Sequence, residues 1–140
     1  VQRMAMGMAS DIAQAAVAAC RDEGYQVTVA VADRNGEPQV VMRDVYAPAV
    51  SYRIAKRKAF TAACFSTDTG RVMENREGIG ATLNHVEGLL FAPGGLVVQT
   101  GGSKVVGAVG VSGAPDPAID RRCAQAGIDA VSERLQFGGM

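Results

Sequence analysis

Leu96-Val97-Val98-Gln99-Thr100-Gly101-Gly102-Ser103-Lys104-Val105-Val106-Gly107-Ala108-Val109-Gly110-Val111-Ser112 is the stretch that decides the fold. Leu96–Thr100 and Lys104–Ser112 are rich in valine, and Gly101-Gly102-Ser103 between them is turn chemistry, so two strands joined by a tight hairpin are predicted. A connection this short pairs its strands antiparallel. The second strand carries Gly107 and Gly110, with Gly113 just beyond. Glycine weakens a strand unless something must approach its backbone closely.

Toward the amino terminus, Gly88–Phe91 reads as another extended run, which Pro93-Gly94-Gly95 bends into the hairpin to give three successive strands. Before it, Asn75–Val86 has two glycines, several charges, no steady period and the only histidine, His85. It reads as an irregular connection, a kind of segment that often carries function. Ala49–Phe65, after Pro48, predicts a helix with Ile54, Ala55, Ala59, Ala62 and Ala63 inward and Arg53, Lys56 and Arg57 outward. Thr67, Asp68 and Thr69 offer caps for a short helix through Met73 and Glu74.

Val27, Val29 and Val31 alternate with Thr28, Ala30 and Ala32, the pattern of a strand whose second face admits only small groups under close-packed helices. Asn35-Gly36 is a strong hairpin signal for a type I′ turn, and Gln39–Arg43 is the return strand. Met4, Met8, Ile12, Ala16 and Cys20 recur every fourth residue and form one stripe of a first helix, which Gly24 closes. At the other end, Asp116 caps a helix that starts at Pro117, carries Ile119, Cys123, Ala126, Ala130 and Val131 on one face, and ends near Leu135.

Hairpins kept apart from helices argue against βαβ repeats. They predict an α/β (α+β) fold: a five-stranded antiparallel sheet packed with helices. The length of 140 residues suits one domain over 1–140. Hydrophobic residues form 48 % and charged residues 20 % of the chain, and its net charge of +0 lacks the basic excess of a nucleic-acid binder. No apolar run reaches the roughly 20 residues of a membrane span. The expected chain is soluble, either cytoplasmic or exported with a signal peptide removed ahead of residue 1. Cys20, Cys64 and Cys123 are odd in number and widely spaced, which argues against a disulfide framework or a CxxC zinc site. Each is expected to be a small buried hydrophobe, with a reactive thiol as the alternative.

Several runs together resemble the GlcG/HbpS family. Arg57-Lys58-Ala59-Phe60-Thr61-Ala62 is similar to its basic-Lys-Ala-aromatic-Thr-Ala helix, Pro93-Gly94-Gly95-Leu96 to its Gly-Gly turn, and Val31-Ala32-Asp33-Arg34-Asn35-Gly36 to its early hairpin. Val105–Pro115, Asp120 and Cys123-Ala124-Gln125-Ala126-Gly127 follow in the family's order. Val97 stands where the family usually has proline. The resemblance implies a fold similar to profilin and roadblock-like domains, homo-oligomers that are commonly octamers, and association with haem binding, sensing or degradation.

A b-type haem site needs an axial donor, an apolar slot and cations for two propionates. His85 is the one imidazole and the candidate iron ligand. Arg53, Lys56, Arg57 and Lys58 supply cations, and Arg57, Lys58 and Thr61 lie in the family-like helix. Gly94 and Gly95 of the family-like turn are counted with them as cofactor-binding residues. Tyr25, Tyr46 and Tyr52 are alternative iron donors that read more simply as half-buried aromatics, and the methionines read as core. Ser112 lacks a nucleophile elbow, Gly107-Ala108-Val109-Gly110 is no phosphate loop, and Glu74, Glu77 and Glu87 are too scattered for a metal site. A binding protein is therefore favoured over an enzyme. The alternative is a small-acid metabolite-binding protein or enzyme whose pocket is lined by the glycine-rich strand and the Pro93-Gly94-Gly95 turn, with Lys58 and Thr61 polarising the ligand.

Overall fold

In the computed structural model, which describes residues 2–74 and 85–137, the decisive hairpin is present as β3 (Gly95–Gln99) and β4 (Val105–Ser112). Ahead of it come α1 (Met6–Asp22), β1 (Thr28–Asp33), β2 (Pro38–Arg43), α2 (Ala49–Phe65) and α3 (Thr69–Glu74). After it come α4 (Pro117–Asp129) and α5 (Ser132–Phe137). Among the described residues the strands form one antiparallel sheet in the order β2-β1-β4-β3.

The sheet therefore has four strands where the sequence predicted five. Gly88–Phe91 is not a strand: the Leu90 N–H donates to the Thr61 hydroxyl on α2 at 2.9 Å, so this backbone is fastened to a helix rather than to a ladder. The first hairpin is also built differently. Gly36 alone has a positive φ, +86°, and its N–H donates to the Asp33 carbonyl at 2.9 Å. The Asp33 carboxylate accepts from the N–H groups of Asn35 and Glu37. That acceptor favours a three-residue loop with a type I turn followed by a left-handed glycine, in place of the type I′ turn.

The two faces of the sheet differ in the size of their side chains. Register pairs Val29 with Val111 and Val31 with Val109 on one face, and Ala30 with Gly110 and Ala32 with Ala108 on the other. The valines meet α1 and α4 in the main core, which contains Met4, Met8, Ile12, Ala16 and Cys20 from the predicted stripe. The small face lies under α2, where Ala55 and Ala59 pack on Ala30 and Ala32. A Cβ on Gly110 would collide with the Ala55 carbonyl and stand 2.6 Å from the Ala59 nitrogen. On Gly95, which is paired to Gly110, it would stand 2.5 Å from the Lys58 carbonyl. At Gly110 the approaching body that the glycine-rich strand called for is thus the α2 backbone, whereas at Gly107 it is the Ala32 carbonyl of β1 and the Met4 side chain.

The expectation of three unpaired cysteines fails. Cys20 on α1 and Cys123 on α4 are disulfide-bonded and fully buried, with Cα atoms 5.6 Å apart, because the two helices lie side by side over the valines. The bond spans a sequence separation of 103, which no local pattern reports. Cys64 is free and exposed rather than buried. No helix among the described residues is long and apolar enough to cross a membrane.

Candidate functional site

Helix α2 places the family-like residues on two opposite sides. Ala55, Lys58, Ala59 and Ala62 fall at helical spacings of three and four residues and are buried, whereas Arg53 and Arg57 are exposed. Lys58, expected among the ligand-facing cations, is instead 3 % exposed. Its ammonium donates to the Val111 carbonyl at 2.8 Å and to the Asp120 carboxylate on α4 at 3.1 Å. The other Asp120 oxygen accepts from the Ala114 N–H at 3.1 Å. The pair joins the helical layers across the end of β4. Burial pushes the Lys58 ammonium below its usual range and the Asp120 carboxyl above its own, and their mutual attraction opposes both shifts.

Gly94 and Gly95 wrap this pair. Gly94 has φ +120°, and a Cβ there would stand 2.8 Å from the Lys58 nitrogen. Thr61 is fully buried, donating to the Arg57 carbonyl at 2.7 Å while accepting from Leu90. The structure thus brings Lys58, Thr61, Gly94 and Gly95 together as internal fastenings beneath α2.

Arg57 lies on the outer side of α2, in a groove of about 390 Å³, a volume within the range of small-molecule sites. Arg53, Lys56 and Arg57 form one wall. Glu37 and Pro38 of the first hairpin, with Glu87 and Gly88, form the other, and Phe60 lies between them. Gly36 packs against this ring so closely that a Cβ would stand 2.6 Å from Phe60 Cδ1. Helix and hairpin turn together hold an apolar ring at the base of a groove with three cations on one wall and two carboxylates on the other. Lys56 Nζ also lies 4.3 Å from the centre of the Tyr52 ring, a cation–π contact.

His85 is exposed, in a turn shortly before the Glu87-Gly88 wall. Tyr46 and Tyr52 are exposed and Tyr25 is half-buried, so two of the three tyrosines depart from the half-buried reading. Ser112 is buried beside the small face. Glu77 lies outside the described residues. Among the described residues, no three His, Cys, Asp or Glu side chains cluster as a metal site would require.

Asp120 and Phe60 carry the most structural weight of the residues that sequence reasoning gave no role. The signal for Asp120 was indirect: Lys58 falls on the inward stripe of α2, and a buried lysine needs a carboxylate. Phe60 was legible only as part of a motif.

No curated protein matches the chain. Among solved structures, a double mutant of HbpS from Streptomyces reticuli is 37 % identical, with a TM-score of 0.87, over 94 % of this chain and 88 % of that one. A second HbpS structure is 36 % identical, with a TM-score of 0.88, over 94 % and 92 % of the two chains. The PduOC:haem complex, 24 % identical with a TM-score of 0.85 over 92 % and 95 %, shares the fold. Residues 5–129 match the family described as haem degrading protein HbpS-like. A match that runs through the sheet, both helical layers and the groove makes the assignment plain: the chain belongs to the HbpS-like family.

Proposed function

We propose that this protein binds haem in the groove between α2 and the first hairpin, and that it works as a homo-oligomer, up to an octamer, in haem sensing, storage or degradation. The observation that carries the reading is the pairing of an apolar ring, Phe60, with three cations on the adjoining wall in an HbpS-like chain. A porphyrin edge needs the first and its propionates need the second. Arg53, Lys56 and Arg57 are assigned to the carboxylates. His85, beside the Glu87-Gly88 wall, is assigned to the iron. Haem, when bound, supplies the iron-centred chemistry; the chain supplies apolar contact, charge and orientation. Lys58, Thr61, Gly94 and Gly95 act from behind by fixing the position of α2. Relatives support the same reading, since PduOC was solved with haem. Self-association is supported by the exposed apolar run of Val45, Tyr46, Val50 and Tyr52 where β2 leads into α2.

The test is a titration with ferric haem, read by the visible spectrum and by sedimentation. A saturable Soret shift is expected, weakened about tenfold by Arg57→Glu, in line with loss of a charge-assisted contact. The shift should move in wavelength in His85→Ala. A featureless titration would reject haem. If small dicarboxylates then raised the thermal midpoint, the groove would be assigned to a small acid instead.

A further inference from the structure

A second groove runs along the far edge of the sheet. Among the described residues β3 is an edge strand, and its backbone alternates in direction. The Val111 N–H donates to the Gly94 carbonyl at 2.9 Å, and the register continues through Leu96 with Val109 and Val98 with Gly107. In an antiparallel ladder those residues point their N–H and C=O groups at β4; past the register shift between Val98 and Gln99 the Thr100 N–H again points inward, donating to the Lys104 carbonyl at 2.9 Å, so Gly95, Val97 and Gln99 point theirs outward. The Gly95 N–H is already engaged: it donates to the Thr69 hydroxyl at 3.0 Å, and that hydroxyl donates to the Ala92 carbonyl at 2.5 Å and lies 3.4 Å from the Gly95 carbonyl. Val97 and Gln99 instead line a groove of about 440 Å³ flanked by Arg71 of α3 and by Arg121, Gln125 and Ile128 of α4.

The charge in this groove favours anions. Two guanidinium groups and one carboxylate line it, and the carboxylate, Asp68, is engaged at both oxygens. One accepts from Arg121 at 2.9 Å and the other from the Gly70 N–H at 2.7 Å. An outward strand edge offers donors and acceptors at the repeat of another strand, and side chains beside it select what pairs there. We propose that this edge docks an extended peptide segment bearing acidic side chains. Its main chain pairs with Val97 and Gln99, and its carboxylates reach Arg71 and Arg121. Thr69 sets one limit of the docked strand by capping Gly95. The site is separate from the haem groove and does not depend on that reading.

The experiment is an NMR titration of the ¹⁵N-labelled protein with a blocked Val-Glu-Val-Glu-Val-Glu peptide at low salt, beside its Val-Lys counterpart. Amide shifts should centre on Val97 and Gln99, with slowed exchange of those two N–H groups, and the Val-Lys peptide should bind at least about tenfold more weakly. Val97→Pro removes one outward N–H and leaves the β4 ladder intact, so affinity should drop about tenfold while the thermal midpoint holds. If that variant does not fold, N-methylating alternate residues of the peptide tests the same bonds from the other side and should abolish binding. Shifts mapping away from β3, equal binding of the Val-Lys peptide, or full binding by Val97→Pro or by the methylated peptide would overturn the proposal. So would Val97 and Gln99 amides already protected in the free protein, together with a smaller assembly for Val97→Pro. That result would give the edge to a second copy of this chain.

Discussion

The two faces of the sheet achieve close packing by opposite means. On the α1–α4 face, Val29, Val31, Val109 and Val111 fill space with side-chain volume, and a disulfide joins the helices above them. On the α2 face, Ala30, Ala32, Ala108 and Gly110 leave almost no side chain, and a helix backbone descends into the vacated space. Stabilisation on the first face scales with apolar area removed from water. On the second it comes from close backbone contact, which tolerates no added atom. The same substitution size should therefore have different consequences on the two faces.

Adding volume to the small face is the most damaging change expected. Gly110→Val drives a side chain into the Ala55 carbonyl and the Ala59 nitrogen, both backbone atoms that cannot turn aside. We expect a loss beyond about 5 kcal/mol, in the far tail of point-mutant effects, and hence no folded protein by circular dichroism. Removing volume from the other face by Val109→Ala should cost only about 2–3 kcal/mol in urea unfolding, as methyl groups leave a cavity. Comparable losses at the two positions would mean that the faces do not differ as described.

The Lys58–Asp120 pair comes next, since it ties one layer to the other. Asp120→Ala strands a buried ammonium and should cost about 3–5 kcal/mol. Replacing both partners, Lys58→Met with Asp120→Leu, should restore most of that loss, because the desolvation of both charges disappears together. A double variant as unstable as the single one would show that shape, through Gly94 and Val111, outweighs charge at this junction.

Reducing the disulfide perturbs the valine face alone. Cys123→Ala, or thorough reduction, frees a loop of about a hundred residues in the unfolded chain and should cost about 3–4 kcal/mol, lowering the thermal midpoint by roughly 10 °C. The cross-link lies above the valines, so the amide exchange that quickens most should belong to α1 and α4, with α2 on the other face less affected. Uniform loosening would show that the layers open as one unit.

What the sequence disclosed follows the reach of each interaction. Helix α2 was legible with its bounds Ala49–Phe65, and the alternation from Val27 to Ala32 correctly announced a face of small groups, because periodicity is written in adjacent residues. Gly110 was legible as a close approach, though not what approached. The Cys20–Cys123 bond and the Lys58–Asp120 pair join residues 103 and 62 positions apart; the first leaves no local trace, and the second leaves only the inward place of Lys58 on α2, which does not say where its carboxylate lies. The outer cations of α2 were visible as a cluster, but the groove exists only because the Gly36 turn folds against Phe60. The missing fifth strand has a related cause: Gly88–Phe91 has strand composition, and a single hydroxyl, Thr61, takes its backbone elsewhere.

The smallest expected effect concerns the Arg21–Asp44 pair, which fastens the end of α1 to the turn after β2. Arg21 donates two hydrogen bonds to the Asp44 carboxylate, at 2.6 and 2.9 Å, and these hold the carboxyl below its ordinary range against the opposing effect of burial. A folded-state value below the unfolded one means that protonation favours the unfolded chain. The contribution is therefore complete above the unfolded carboxylate range, about pH 4–5, and is lost as pH falls through the folded value. Solvent around the exposed guanidinium keeps it small. The stability difference between wild type and Asp44→Asn should thus be flat from neutral pH to about pH 5 and then narrow in more acid solution. Because Lys58 and Asp120 meet in a dry interior while Arg21 is in water, added salt should shrink the Asp44 difference and leave the Asp120→Ala loss unchanged. Equal salt sensitivity at the two pairs would mean that water reaches the layer junction, and the contrast in their surroundings would no longer hold.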